Sequence, residues 1–333
     1  MKVGIGKEKR SMLSKYRFLA LAIGLTLAFA TAVAGVGVSD VVGQVSQTYY
    51  THVLNDLLYT HTGDNRGGGT ATNVQAAANI YAQFQSFGLQ TFYDPFINGG
   101  TTYNNVVGVL PGLTRPNDIY IVGAHFDSVN NPGADDNASG TAGVIEAARV
   151  LSQYQFEATI IFIGFNLEEW GLIGSSAYAA KHASDNILGM ISLDMIAYNP
   201  TGSGYNSANI YGRSTSDPLK NALADALWMY GGLTSYIGGA IDASDHAPFE
   251  WQGKQACLLI EANVWSNPYY HQQTDSVDTP NYIDYAYATN MVRGTVGYLA
   301  NAAVLIPEPG SITVLFGGTL WLAVCIRRRK IQK

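Results

Sequence analysis

Eight residues, Ala158 to Phe165, run Ala-Thr-Ile-Ile-Phe-Ile-Gly-Phe, β-branched and aromatic and without a charge. A strand of this kind offers apolar surface on both faces, so it belongs inside a sheet covered above and below. The flanking sequence supplies the covers. Helical spacing of apolar residues predicts helices over 48–59, 76–87, 141–153, a stretch ending near Lys181, 218–230 and 282–305. Gly88 is placed to close the second of these. Further strands are predicted over 91–97, 103–110, 118–124, 189–193 and 255–261, with 202–216 partly loop and 240–249 a polar loop. Strands alternating with helices imply an α/β fold, with a mixed, largely parallel central sheet sandwiched between helices in one catalytic domain over 35–305.

The ends of the chain differ from this body. Six Lys or Arg residues precede an apolar run from Phe18 to Ala30, followed by Ala32-Val-Ala34. That is the layout of a secretory signal peptide over 1–34, and it implies the Sec export machinery as a partner. At the other end, Ile306-Pro-Glu-Pro-Gly310 leads into an apolar run to Ile326, then Arg327-Arg-Arg-Lys330. The run is near the lower limit of about 17 residues for a spanning helix, and the basic cluster holds that end inside. This order resembles the PEP-CTERM sorting tail of Gram-negative bacteria, here 306–333. The resemblance implies a membrane helix, an exosortase-type processing enzyme, and a periplasmic, cell-surface or extracellular product. Between the ends the chain carries 8 basic and 23 acidic residues, a net of −15. Such a body repels nucleic acid and tolerates divalent cations. The two cysteines, Cys257 and Cys325, sit in unlike contexts and imply no disulfide framework.

Several apolar strands finish in a polar group that can bind metal. The strand 118–124 gives His125 and Asp127, then a Pro- and Gly-containing loop with Asp135 and Asp136, then a helix starting at Asn137. The strand 158–165 leads to Glu168 and Glu169, the strand 189–193 to Asp194, and the strand 255–261 on toward His271. In open α/β sheets the carboxyl ends of parallel strands form the binding crevice, so these groups should converge. Two imidazoles and several carboxylates, with no thiolate, make an N/O donor set suited to zinc, with manganese or cobalt as alternatives. His52, His61 and His182 lie apart from these clusters and are expected at the surface. Cys257 is expected as a buried, inert thiol.

The segments His125-Phe-Asp127, Gly133-Ala-Asp-Asp-Asn-Ala-Ser-Gly140, Glu168-Glu-Trp-Gly-Leu-Ile-Gly-Ser175, Asp194-Met-Ile196, Ser244-Asp-His246 and Tyr270-His271 occur in this order. Together they resemble the two-zinc aminopeptidases of metallopeptidase family twenty-eight over roughly residues 48–300. The resemblance implies two Zn2+ ions bridged by Asp136. His125 and Asp194 would complete one site, and Glu169 and His271 the other. It makes Glu168 the general base and places Asp127 behind His125. It also implies a cis peptide bond after Asp136 and a loop carrying Ser244-Asp245-His246 near the substrate pocket. Tyr270 is a candidate donor to the developing oxyanion, with a packing role as the alternative.

The expected activity is hydrolysis of peptide bonds by metal-activated water, most directly release of N-terminal residues. The residues leave open an endopeptidase or carboxypeptidase on the same metals. From another class, they leave open a non-catalytic surface or matrix protein on the same fold.

Overall fold

The computed structural model describes residues 35–200 and 206–307. The signal-peptide reading of 1–34 and nearly all of the sorting-tail reading, from residue 308 on, lie outside the described residues. Among the described residues no helix is long and apolar enough to cross a membrane.

Val36–Pro307 forms one compact unit. Three helices enter it: α1 (Val38–Val42), α2 (Gln47–His52, extended by a wide turn, Val53–Leu57) and α3 (Ala71–Ser86). A hairpin follows, β1 (Gln90–Asn98) and β2 (Thr101–Leu110), and then β3 (Arg115–His125). The chain continues through α4 (Gly140–Leu151), β4 (Ala158–Phe165), α5 (Ile173–Lys181), β5 (Ile187–Leu193), β6 (Ser207–Tyr211) and α6 (Asp217–Ala226). It closes with β7 (Thr234–Ile237), α7 (Ala247–Trp251), β8 (Ala256–Glu261) and α8 (Tyr285–Ala302).

One eight-stranded sheet has the order β1-β2-β4-β3-β5-β8-β6-β7. The central four, β4-β3-β5-β8, run parallel to one another. β1, β2 and β4 join antiparallel at one side, and β6 runs antiparallel to β8 at the other. The strand that set the expectation, β4, is buried at every residue. Its side chains alternate between two cores. Ile160 and Phe162 join the core under α2, α3, α4 and α8, whereas Ile161, Ile163 and Phe165 join a smaller one with Tyr178 of α5 and Phe249 of α7.

Several expected boundaries move. The helix expected from residue 76 begins at Ala71, because Thr70 caps it by accepting the Asn73 N–H at 3.1 Å. The segment 202–216 contains β6, and β7 follows after α6. Both are short and polar, and they persist through pairing with β8 and with each other. The polar loop over 240–249 ends early, because α7 starts at Ala247. The helix expected from Asn137 begins at Gly140. Residues 134–139 form a wide turn in which Asp136 and Asn137 have non-helical angles, and the Asp136–Asn137 bond is cis. Gly140 fits there because its missing Cβ would strike the Leu193 carbonyl.

Candidate metal centre

Each strand end delivers its group to one place. β3 ends at His125, the turn after β4 holds Glu168 and Glu169, β5 leads into Asp194, and the loop after β8 returns with His271. Asn137 ties two of these segments together. Its amide donates to the Leu193 carbonyl at 2.8 Å, and its Oδ1 accepts the Met195 N–H at 3.3 Å. That pair of bonds sets Asp136 beside Asp194.

His125 Nε2 lies 3.5 Å from Asp136 Oδ1 and 3.5 Å from Asp194 Oδ1. His271 Nε2 lies 3.1 Å from Asp136 Oδ2 and 3.3 Å from Glu169 Oε2. Two triads therefore share Asp136, one through each oxygen. In each triad the ligand-capable atoms fall within 4.8 Å of one another. His125, Glu168 and Glu169 form a third grouping, in which Glu168 stands farther off, 4.0 Å from His125 Nε2.

These residues fit a divalent cation. Glu169 Oε1 and Asp194 Oδ1 are buried oxygens that accept no hydrogen bond, a costly arrangement for a carboxylate unless a positive charge meets it. The protonation balance tells the same story. Burial pushes the Glu169 carboxyl up to about 7, with the Asp136 charge adding to it. Glu168 is pushed well above its usual range by burial and by Asp245 and Asp194. Burial opposes the ionisation of Asp136, yet His125 and His271 hold it at about 2. Contacts with Asp136 and Glu169 push His271 up to about 10. Two glutamates that resist ionising beside imidazoles that hold protons describe a site short of positive charge.

Asp127 lies behind His125 and also reaches the two glutamates. Its carboxylate is 3.6 Å from His125 Nδ1, too long for a hydrogen bond, while its backbone oxygen is 3.2 Å from that nitrogen. The carboxylate oxygens accept the N–H groups of Glu168 and Glu169 at 3.1 and 3.2 Å. Asp127 thus grips the backbone of both glutamates. Tyr270 is partly exposed, lines the pocket and stacks on His271 at 3.8 Å. Asp245 is fully buried, and burial pushes its carboxyl up to about 7. His52, His61 and His182 pair with Asp56, Asp278 and Asp185, away from the centre. Cys257 is a buried free thiol in β8, raised by burial.

Three supporting residues had no mark in sequence. Arg66 is completely buried, and its guanidinium donates to the carbonyls of Phe126, Tyr59, Pro132 and Gly133, framing the loop after β3. Asp275 accepts the N–H groups of Asp135 and Asp136. Asn267 donates to both Asp135 and Glu261, joining the first metal-side loop to β8. A lone Arg after Asn, or an Asp four residues past a His, carries no periodicity that would expose such a role.

Beside the triads opens a pocket of about 200 Å³. Its far wall is apolar: Met195, Leu258 and Ile260 pack together with Tyr211, Ile241 and Val264.

The model of Peptidase family M28 matches residues 105–296 of this chain. Leucine aminopeptidase 1 of Ajellomyces capsulatus is 31% identical over 219 residues, covering 60% of this chain and 56% of that protein. Aminopeptidase YwaD of Bacillus subtilis is 33% identical over 192 residues, covering 53% of this chain and 40% of that protein. The chain thus spans about half the length of the curated relatives it matches. Among solved structures, the LapA aminopeptidase of Legionella pneumophila is similar with a TM-score of 0.69 at 22% identity, covering 80% of this chain and 74% of that one. At that identity the likeness speaks for the fold.

Proposed function

Because the chain belongs to Peptidase family M28, we propose that it is an exported zinc aminopeptidase that removes apolar N-terminal residues from peptides. One observation carries the reading: the two triads share Asp136 through its separate oxygens, with Glu168 beside them. One ion would be held by His125, Asp136 and Asp194, the other by Asp136, Glu169 and His271. Zinc suits one imidazole and two carboxylates per site, and manganese or cobalt would also fit. When bound, the ions supply Lewis acidity, polarising a carbonyl and making water acidic near neutral pH.

The side chains do the rest. Glu168 takes the proton of the attacking water and returns it to the leaving amine. It suits that task because it faces the pocket and stands farther from His125 than the other two carboxylates do. Asp127 keeps Glu168 and Glu169 in register by holding their N–H groups. Tyr270, on the pocket wall, is placed to donate to the developing oxyanion. The excess of carboxylate attracts a free α-ammonium group. The apolar wall of Met195, Leu258 and Ile260 receives the first side chain, and the pocket's small volume favours one residue over a through-running chain. The names of the curated relatives support the same activity. The basic-apolar-small start and the Pro-Glu-Pro tail support export, followed by processing at the C-terminal end.

The test is hydrolysis of leucinamide by the full chain, with zinc and with chelator, beside an N-acetylated leucyl peptide. Cleavage of leucinamide that chelator abolishes, with the acetylated peptide left intact, is expected. Cleavage of the acetylated peptide instead would make it an endopeptidase. Chelator-insensitive cleavage, or none at all, would overturn the metal reading.

A further inference from the structure

A second cavity, of about 420 Å³, opens near the centre, with walls that include Gly69, Val74, Tyr93, Thr102, Tyr103 and Asn166. Strand order decides where it lies. The apolar pocket rests on β5, β8 and β6, whereas this cavity lies between α3 and the strands β1 and β2, at the turn after β4. The order β1-β2-β4-β3-β5-β8-β6-β7 therefore puts the two on opposite flanks of β3, which ends in His125. β2 runs antiparallel to β4 with Val106 opposite Gly164. Beyond that pair Asn105 Oδ1 accepts the Asn166 N–H at 3.1 Å, so the first half of β2 lies beside the turn that carries Glu168. The cavity and the candidate base thus share one edge of the sheet.

A row of rings links them. Phe96 stacks on Tyr103 at 6.1 Å, and Tyr103 meets Trp170 edge-on at 6.0 Å. Trp170 directly follows Glu169 and is 49% exposed, and Val74 on the cavity rim is 64% exposed. Apolar side chains left in water beside a catalytic pocket mark a surface meant to be covered. No charged residue lines the cavity. Arg66, the nearby cation, is buried and spends its guanidinium on backbone carbonyls.

We propose that this cavity receives the peptide downstream of the cleaved bond, and that it takes an uncharged, bulky side chain at the second residue past that bond. The inference rests on the aminopeptidase reading and deepens it. A substrate whose first side chain fills the apolar pocket has its scissile bond over Glu168, and the remaining chain must leave on the other flank. An extended chain advances about 3.3–3.6 Å per residue, so two residues span about 7 Å. In this chain Asn166 of the cavity wall stands two residues before Glu168, across a turn at Leu167 with φ 59°. A dipeptide would carry its carboxylate toward this cavity, where no cation lines the wall to meet it. The substrate class is therefore oligopeptides, with dipeptides disfavoured.

The experiment compares kcat/KM of the zinc-loaded full chain on leucinamide and on two amidated peptides, Leu-Gly-Gly-Gly and Leu-Gly-Phe-Gly. The Phe peptide should exceed the Gly peptide by roughly tenfold, the order expected from covering one aromatic ring, with the gain in KM. Val74→Trp, at an exposed helix position, fills the cavity and should bring that ratio to within about twofold of one. Thr102→Trp, on the opposite wall, should do the same and guards against a folding defect in the first variant. A wild-type ratio near one, or a tenfold ratio that survives both fillings, overturns the inference while cleavage of leucinamide leaves the aminopeptidase reading standing. Failure to cleave any of the three substrates overturns both.

Discussion

Asp275 holds Asp136 by its backbone: Oδ2 of Asp275 accepts the Asp136 N–H at 3.1 Å, while its Oδ1 accepts the Asp135 N–H at 2.7 Å. The Asp275 carbonyl also accepts the Ala134 N–H at 3.1 Å. Asp275 follows His271 by four residues, so one short loop both supplies an imidazole and fixes the carboxylate that imidazole faces. The two triads are built against each other through this clamp.

Replacing Asp275 by Asn keeps the shape but turns one acceptor into a donor that faces an N–H. Groups that orient a metal ligand typically contribute about 10- to 100-fold in metal affinity. Asp275→Asn should therefore weaken zinc binding by that order, read by competition with a chromophoric chelator. Asp275→Glu should recover part of it. Unaltered affinity in the Asn variant would make the clamp a matter of packing alone.

Glu168→Gln should bind as much zinc as the wild type, because neither triad that shares Asp136 uses Glu168. Turnover should drop by about 10²- to 10⁴-fold, the usual contribution of a positioned proton carrier. Metal analysis and leucinamide kinetics on the same sample decide it. Activity close to wild type at equal zinc content would remove Glu168 from the reaction.

The sharing of Asp136 predicts an asymmetry among ligand variants. His271→Ala strips one triad and should leave a single zinc per chain, and His125→Ala should do likewise for the other. Asp136→Ala strips both and should abolish stable binding. Native mass spectrometry gives the stoichiometry directly. Two ions retained in Asp136→Ala would break the proposed bridge.

In chelator, folded Asp135 keeps its proton to about pH 6, and Glu169 and Asp245 to about pH 7, with burial the first cause in each. Their ordinary values are 3.8, 4.5 and 3.8. Over that window the folded chain binds more protons than the unfolded one, so its stability falls as pH rises. Burial pushes His246 down to about 4 and opposes the trend up to its ordinary 6.5, one group against these three and against Glu168, Glu261 and Asp275, which burial also raises. His271, raised to about 10, adds a loss of stability above 6.5. The melting temperature of metal-free protein should fall from about pH 5 to about pH 7, and zinc should flatten or reverse the slope, since metal binding displaces protons. A metal-free melting temperature that climbs across this range would contradict the protonation pattern.

Much of this was readable from residue order. The unbroken apolar run of β4 demanded a two-sided cover, and both cores are there. The polar groups after β3, β4 and β5 could be matched to one crevice, because parallel strands in one sheet bring their carboxyl ends to one edge. Short polar β6 and β7 stayed hidden, since their stability comes from pairing with β8 and with each other and not from their own composition. The helix expected over 141–153 is α4, but the wide turn at 134–139 that precedes it stayed hidden, because it depends on tertiary bonds from Asn137 and Asp275.

The chemistry of the side chains and their place at strand ends was thus written locally, in patterns of two and four residues that a linear reading detects. Which oxygen of Asp136 faces His125 and which faces His271 was not. Nor was the grip of Asp127 on the two glutamates, or the flank on which each cavity opens. Those follow from strand order and from hydrogen bonds between segments up to about 140 residues apart, and such distances in sequence leave no local trace.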